Sequence, residues 1–195
     1  FCAGMDLKAF LRGEQIRIEG RGILGIAFTP PTKPLIAAVE GYALAGGCEA
    51  MLACDLAVAA RNAQFGIPEV KRGLAAGAGG LLRLPRLIPP RIAMELALTG
   101  DMIDAESAAA LGLVNTLTEP GAALDEARRL AARIIANAPL SVAASKRVIV
   151  EQRDWPLEEM FARQQAITGP VIASADAREG AAAFAEKRKP NWQGR

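Results

Sequence analysis

The chain contains no histidine among its 195 residues. That excludes Ser-His-Asp and Cys-His nucleophilic machinery, and His-ligated zinc, within it. Acid–base work therefore falls to carboxylates, lysine, Tyr42 or a thiol. The three cysteines, Cys2, Cys48 and Cys54, form no CxxC pair. Their odd number argues against a disulfide framework and for a reducing, cytoplasmic setting. Long apolar runs are also missing: Pro34 to Ala60 is interrupted by Glu40, Glu49 and Asp55, so nothing approaches the ~20 charge-free residues of a membrane span. A soluble protein is expected. No lysine or arginine block runs through the centre, and the formal net charge is only +2, so no nucleic-acid partner is expected.

Phosphate-loop signatures fail as well. GAGG at Gly77 to Gly80 does not complete GxGxxG, because Leu82 occupies the third glycine position, and no GxxxxGK[ST] occurs. A tight turn or a close backbone approach is the better use of those glycines. The chain opens at Phe1 rather than Met, without a charged leader or apolar signal segment, and is expected to be incomplete.

What is present suits one packed domain with room for a smaller appendage: 51% of residues are hydrophobic and 23% charged. PLIAAV, from Pro34 to Val39, reads as a strand buried on both faces, ended by Gly41. Gly47 to Cys54 is rich in helix formers, Leu56 to Ala60 reads as the next strand, and AQFGI as a short extended piece before Pro68. That is βαβ spacing. Helices are predicted over Arg91–Leu98 and after Asp104, a suitable N-cap. From residue 122 the pattern is helical throughout: Ala122–Asn137, Leu140–Gln152, Leu157–Ile167 and Asp176–Lys187. The closing EKRKPNWQGR is locally basic, either a solvated tail or a contact to a phosphorylated ligand.

One stretch poses a physical question. GYALAGGCEAMLACD sets Glu49 among small and apolar residues, where burying a charge costs several kcal/mol. Lying three residues beyond Gly46, Glu49 falls in the first turn of the predicted helix, where the macrodipole favours negative charge. By spacing alone it is equally a helix-terminal carboxylate, and Glu69 in FGIPEV equally a surface turn residue. FCAGMDLK and YALAGG each combine small residues with a turn, so that backbone N–H groups could point at a ligand; two such donors could form an oxyanion hole.

FCAGMDLK, KPLIAAVEGYALAGGCEAMLACDLAVAARNAQFGIPEVKRGLAAGAGG, ALTGDMIDAESAAALGLVN and AFAEKRKPNW together resemble the crotonase superfamily, specifically the enoyl-CoA hydratases, over essentially the whole chain. The resemblance implies an α/β fold, a spiral of ββα units. Its crotonase core and acyl-CoA site would occupy residues 1–120, and a helical oligomerisation region residues 121–195. It also implies that an N-terminal piece carrying the first strands and a helix is absent, and that the protein forms a trimer or a dimer of trimers. The implied activity is addition of water across the α,β double bond of a 2-enoyl-CoA thioester, a reaction of fatty-acid β-oxidation.

Residue by residue, Glu49 and Glu69 match the two catalytic glutamates. Met5 and Gly46 match the oxyanion-hole amides, and Gly77 the glycine that helps hold the reacting water. Ala3, Lys8, Phe184 and Lys187 match positions that contact substrate or CoA. No metal or redox cofactor is implied, CoA being part of the substrate. The favoured division of labour has Glu49 activating water and Glu69 donating a proton to Cα. Met5 replaces a smaller residue, and Ala75-Ala76 stand where a bulkier residue and proline are common, which bears on the acyl pocket. Rival readings are an enoyl-CoA isomerase, which can use one glutamate, and a hydratase for a polar acyl group such as crotonobetainyl-CoA, which LPRLIPPRIAMELALTG and FAEKRKPNWQGR also resemble. A non-catalytic CoA- or RNA-binding protein of the same fold is the alternative of another class.

Overall fold

Two strand–strand–helix repeats organise the first part of the chain. In the computed structural model, which describes residues 1–15 and 17–195, β1 (Ile36–Val39) and β2 (Tyr42–Leu44) lead into α2 (Gly46–Leu52). β3 (Leu56–Ala60) and β4 (Gln64–Gly66) then lead through a 3₁₀ turn (Pro68–Arg72) to α3 (Gly80–Leu87) and α4 (Pro90–Thr99). A short α1 (Leu7–Leu11) precedes them, N-capped by Asp6, whose carboxylate accepts from Lys8 N at 2.8 Å. After them come β5 (Ile103–Asp104), α5 (Ala105–Ala110) and β6 (Thr116–Thr118).

The first strand of each repeat joins one sheet and the second joins another. β1, β3 and β6 pair in parallel, with Ile36 opposite Leu56 and Val58 opposite Thr116; β2 pairs in parallel with β4, which pairs antiparallel with β5. Each repeat thus steps along two sheets at once, which is a ββα spiral. The expected βαβ unit is the β1–α2–β3 part of it. Tyr42–Leu44 was legible only as a turn-bearing segment, because Gly41 and the glycines after Leu44 leave too few residues for an alternating pattern.

Alanine dominates the strands because it lets layers approach closely. Larger side chains, Val39, Met51, Leu52, Phe65, Ile67, Leu84 and Ile88, fill the space between them, and all are buried. Truncating Leu84 to alanine should cost about 2–5 kcal/mol. Its helix, α3, was not anticipated: Gly79 and Gly80 at its start and Pro85 inside it weaken local helical preference, and packing against α2 and α4 overrides that. Asp104 caps α5 as expected, accepting from Ser107 N at 2.7 Å.

The chain divides into two compact units, residues 1–31 with 35–129, and residues 32–34 with 130–195. The division falls inside α6 (Ala123–Ile135). The second unit continues with α7 (Pro139–Glu151), α8 (Met160–Ile172) and α9 (Ala175–Ala185). The helix expected from Leu157 begins as a 3₁₀ turn, Leu157–Glu159, and becomes α-helical at Met160. The final residues fold back on α9: buried Asp176 accepts from Gln193 N at 2.7 Å and Gly194 N at 2.9 Å. Glu179 takes both guanidinium nitrogens of Arg188, and Trp192 donates to Ala136 O at 2.9 Å. Among the described residues no helix is long and apolar enough to cross a membrane.

Candidate active site

Glu49 is 3% exposed. The question its sequence setting raised is answered by two backbone donors from another element: the N–H groups of Ala78 and Gly80 both donate to its Oε1, at 2.7 and 2.9 Å. Hydrogen bonds to a carboxylate are worth roughly 1.5–3 kcal/mol each, enough to offset much of the burial cost. Among the described residues Oε2 takes no such bond, so one oxygen is fixed and the other remains for chemistry. Gly80 must lack a side chain for this approach, since a β-carbon there would lie 3.0 Å from Glu49 Cγ.

The two turn-bearing segments also meet. Cys2 N donates to Tyr42 O at 2.8 Å and Leu44 N to Cys2 O at 3.0 Å, which lays the start of the chain alongside β2. Gly4, at φ +102°, then abuts Ala45: a β-carbon on Gly4 would sit 2.8 Å from Ala45 Cβ and 3.6 Å from Gly46 N. Ala45 holds φ +50° and ψ −128°, an unfavourable conformation for a residue with a β-carbon. Its own N–H is anchored to Gly66 O at 3.0 Å. Gly46 N–H opens α2 and therefore has no intrahelical acceptor; among the described residues Met5 N–H has no backbone acceptor either. Two free amides at the positive end of a helix can polarise a carbonyl oxygen.

Glu69 lies in the 3₁₀ turn after β4, half-buried, with its Oε2 buried and unpartnered. Burial pushes its carboxyl above the ordinary range, and the charge of Glu49 adds to the rise while a backbone hydrogen bond opposes it. Cys48 lies within electrostatic reach of both glutamates; burial pushes its thiol up to about 12, which leaves it an inert neutral spacer. Beside Glu69 opens a cavity of about 290 Å³ whose other walls are apolar, among them Ile67, Ala75, Ala76, Leu81 and Leu98. The small side chains at 75 and 76 therefore border it directly.

Gly77 is exposed at the start of the turn that carries Ala78 and Gly80. Ala3 and Lys8 are exposed, Lys8 in the first turn of α1. Phe184 and Lys187 belong to the second unit, near the end of α9; both are exposed, and Lys187 adopts φ +55°. What sequence reasoning missed is the pair of donors at Ala78 and Gly80, and Arg83 behind them. The glycines of GAGG signalled a close backbone approach, but not to which group.

The Enoyl-CoA hydratase/isomerase family model matches residues 1–195. A crystal structure of an enoyl-CoA hydratase from Mycobacterium marinum superimposes with a TM-score of 0.97 at 67% identity, over 100% of this chain and 77% of that one. One from Mycobacterium tuberculosis gives 0.97 at 66%, with the same coverage. Among curated relatives, carnitinyl-CoA dehydratase from Citrobacter koseri is 44% identical over 202 residues, covering 100% of this chain and 77% of that protein. With its ββα spiral, and with a match along its whole length, this chain belongs to the enoyl-CoA hydratase/isomerase family of enzymes and has the crotonase fold.

Proposed function

We propose that this protein hydrates the α,β double bond of a 2-enoyl-CoA thioester, with Glu49 and Glu69 as the acid–base pair. The observation that carries this reading is the contrast between the two carboxyls: Glu49 has one oxygen locked by two N–H donors, while burial and Glu49 raise Glu69 toward its protonated form. The N–H groups of Met5 and Gly46 receive the thioester oxygen and stabilise the enolate-like charge that develops on it. Water, held by Glu49 Oε2 and the Gly77 N–H, loses a proton to Glu49 as its oxygen bonds to Cβ. The π electrons shift to Cα, which takes a proton from Glu69. Reversed, the same steps dehydrate a 3-hydroxyacyl thioester.

The apolar cavity beside Glu69 favours a hydrocarbon acyl group. Similarity to a carnitinyl-CoA dehydratase supports a polar acyl group as the second reading. Contacts to CoA, as part of the substrate, are assigned to Ala3 and Lys8 and, in the same or a neighbouring subunit, to Phe184 and Lys187; a homotrimer or dimer of trimers working in the cytoplasm belongs to the same reading.

Loss of the enoyl-thioester ultraviolet absorbance tests it, using crotonyl-CoA and crotonobetainyl-CoA. Turnover should fall by roughly 10²-fold or more in Glu49→Gln and in Glu69→Gln. Near-wild-type turnover in both variants would sink the assignment. Loss confined to Glu49→Gln or Glu69→Gln, with double-bond migration in place of hydration, would indicate an isomerase.

A further inference from the structure

Arg83, in the first half of α3, is half-buried and bridges two segments that are distant in sequence. Its Nη2 donates to Ala27 O at 2.6 Å and its Nη1 to Ala78 O at 3.2 Å. Ala78 is the residue whose N–H holds Glu49 Oε1 at 2.7 Å. One residue of the turn is therefore gripped on both sides, by the catalytic carboxylate through its N–H and by the guanidinium through its carbonyl. Gly79, at φ +104°, leaves the space the guanidinium occupies; a β-carbon there would run into it.

We infer that Arg83 is a positioning residue for Glu49: it clamps the Ala78–Gly80 turn that fixes Oε1. This rests on Glu49 acting as the base of the proposed hydration.

The chemistry of the side chain suits this role. A planar guanidinium can donate to two carbonyls at once, which a lysine ammonium on a flexible stem does not reproduce with the same geometry. Arg83 is also in electrostatic contact with Glu49: burial pulls the guanidinium below its usual range and the charge of Glu49 pulls it back.

The test compares the full chain with Arg83→Lys and Arg83→Met, reading two signals. One is the split between kcat and KM for crotonyl-CoA. The other needs no turnover: amide hydrogen exchange at Ala78 and Gly80, whose N–H groups hold Glu49 Oε1. In Arg83→Met exchange at both amides should accelerate about tenfold or more because the turn is no longer held, and kcat should fall by about tenfold or more with KM little changed. Arg83→Lys should recover only part of either signal, since an ammonium does not reproduce the two-carbonyl geometry. Wild-type exchange at Ala78 and Gly80 in folded Arg83→Met overturns the inference, as does wild-type kcat in that variant. A wild type whose two amides are protected, and lose that protection in Arg83→Met, but which hydrates no enoyl-CoA would instead overturn the functional reading and leave the clamp standing.

Discussion

The carbonyl group of Cys2 occupies the place where a side chain on Gly47 would project. A β-carbon at Gly47 would lie 2.7 Å from the Cys2 carbonyl carbon, closer still to its oxygen, and 2.8 Å from Cys2 Cβ. This contact seats the first segment of the chain on the N-terminal turn of α2, and with it the amides of Met5 and Gly46.

Gly47→Ala should therefore separate those two amides. Backbone has to shift to admit the methyl, unlike a flexible side chain that could swing away. The expected result is a loss of thioester turnover of about 10²-fold or more, of the size seen when an oxyanion-hole donor is removed, and a lower Tm. Unaltered kcat in the alanine variant would refute the proposed pairing of the amides.

Glu69 should give stability an unusual pH slope. Its folded-state carboxyl is raised above the ordinary value of 4.5, so in that window the folded protein binds its proton more tightly than the unfolded chain does. The contribution of the group is fully present below pH 4.5 and is lost as pH rises through the raised value. Glu69→Gln removes that slope. Thermal melts should show the variant gaining on the wild type between pH 4 and pH 7; a constant difference would show that burial does not shift this carboxyl.

Lys187 stands just past the end of α9 in the left-handed region, at φ +55°, with its N–H donating to Phe184 O at 3.2 Å. Glycine is the usual residue there, and a side chain costs roughly 1 kcal/mol. Lys187→Gly should raise Tm by about 2–4 °C and, if the ammonium meets CoA phosphates as proposed, raise KM for acyl-CoA with kcat little changed. A stabilised variant with unchanged KM would remove Lys187 from the CoA site.

The carboxylate of Asp176 holds the final residues of the second unit through Gln193 N and Gly194 N while 2% exposed. Asp176→Ala removes the shared acceptor of these two N–H groups and should cost about 1–3 kcal/mol. Amide hydrogen exchange at Gln193 and Gly194 should accelerate well before exchange at residues of the first unit. Equal protection in both proteins would show that Trp192 and Arg188 suffice to hold the tail.

How much of this was legible beforehand depends on the range of the interaction involved. Local preference marked Ile36–Val39, Leu56–Ala60, the Asp104 cap and the helices after residue 122, because each is set by side chains a few positions apart. It placed Glu49 in a helix's first turn and excluded histidine chemistry outright. It could not mark α3, where glycine and proline argue locally against the helix that α2 and α4 support. Nor could it show the two turn-bearing segments meeting, since Gly4 and Gly46 are brought together through the pairing of Cys2 with Tyr42 and Leu44, about forty positions away.

The sequence by itself determined the available chemistry: carboxylates and backbone amides in an alanine-rich α/β chain, with a family resemblance that named the residues. Tertiary structure alone decided their state. Glu49 has one oxygen fixed because Ala78 and Gly80 reach it across 29 and 31 positions. Glu69 titrates upward because it is buried with an unpartnered oxygen near that carboxylate. Burial, close approach and electrostatic coupling are properties of positions in space, and spacing along a chain does not encode them.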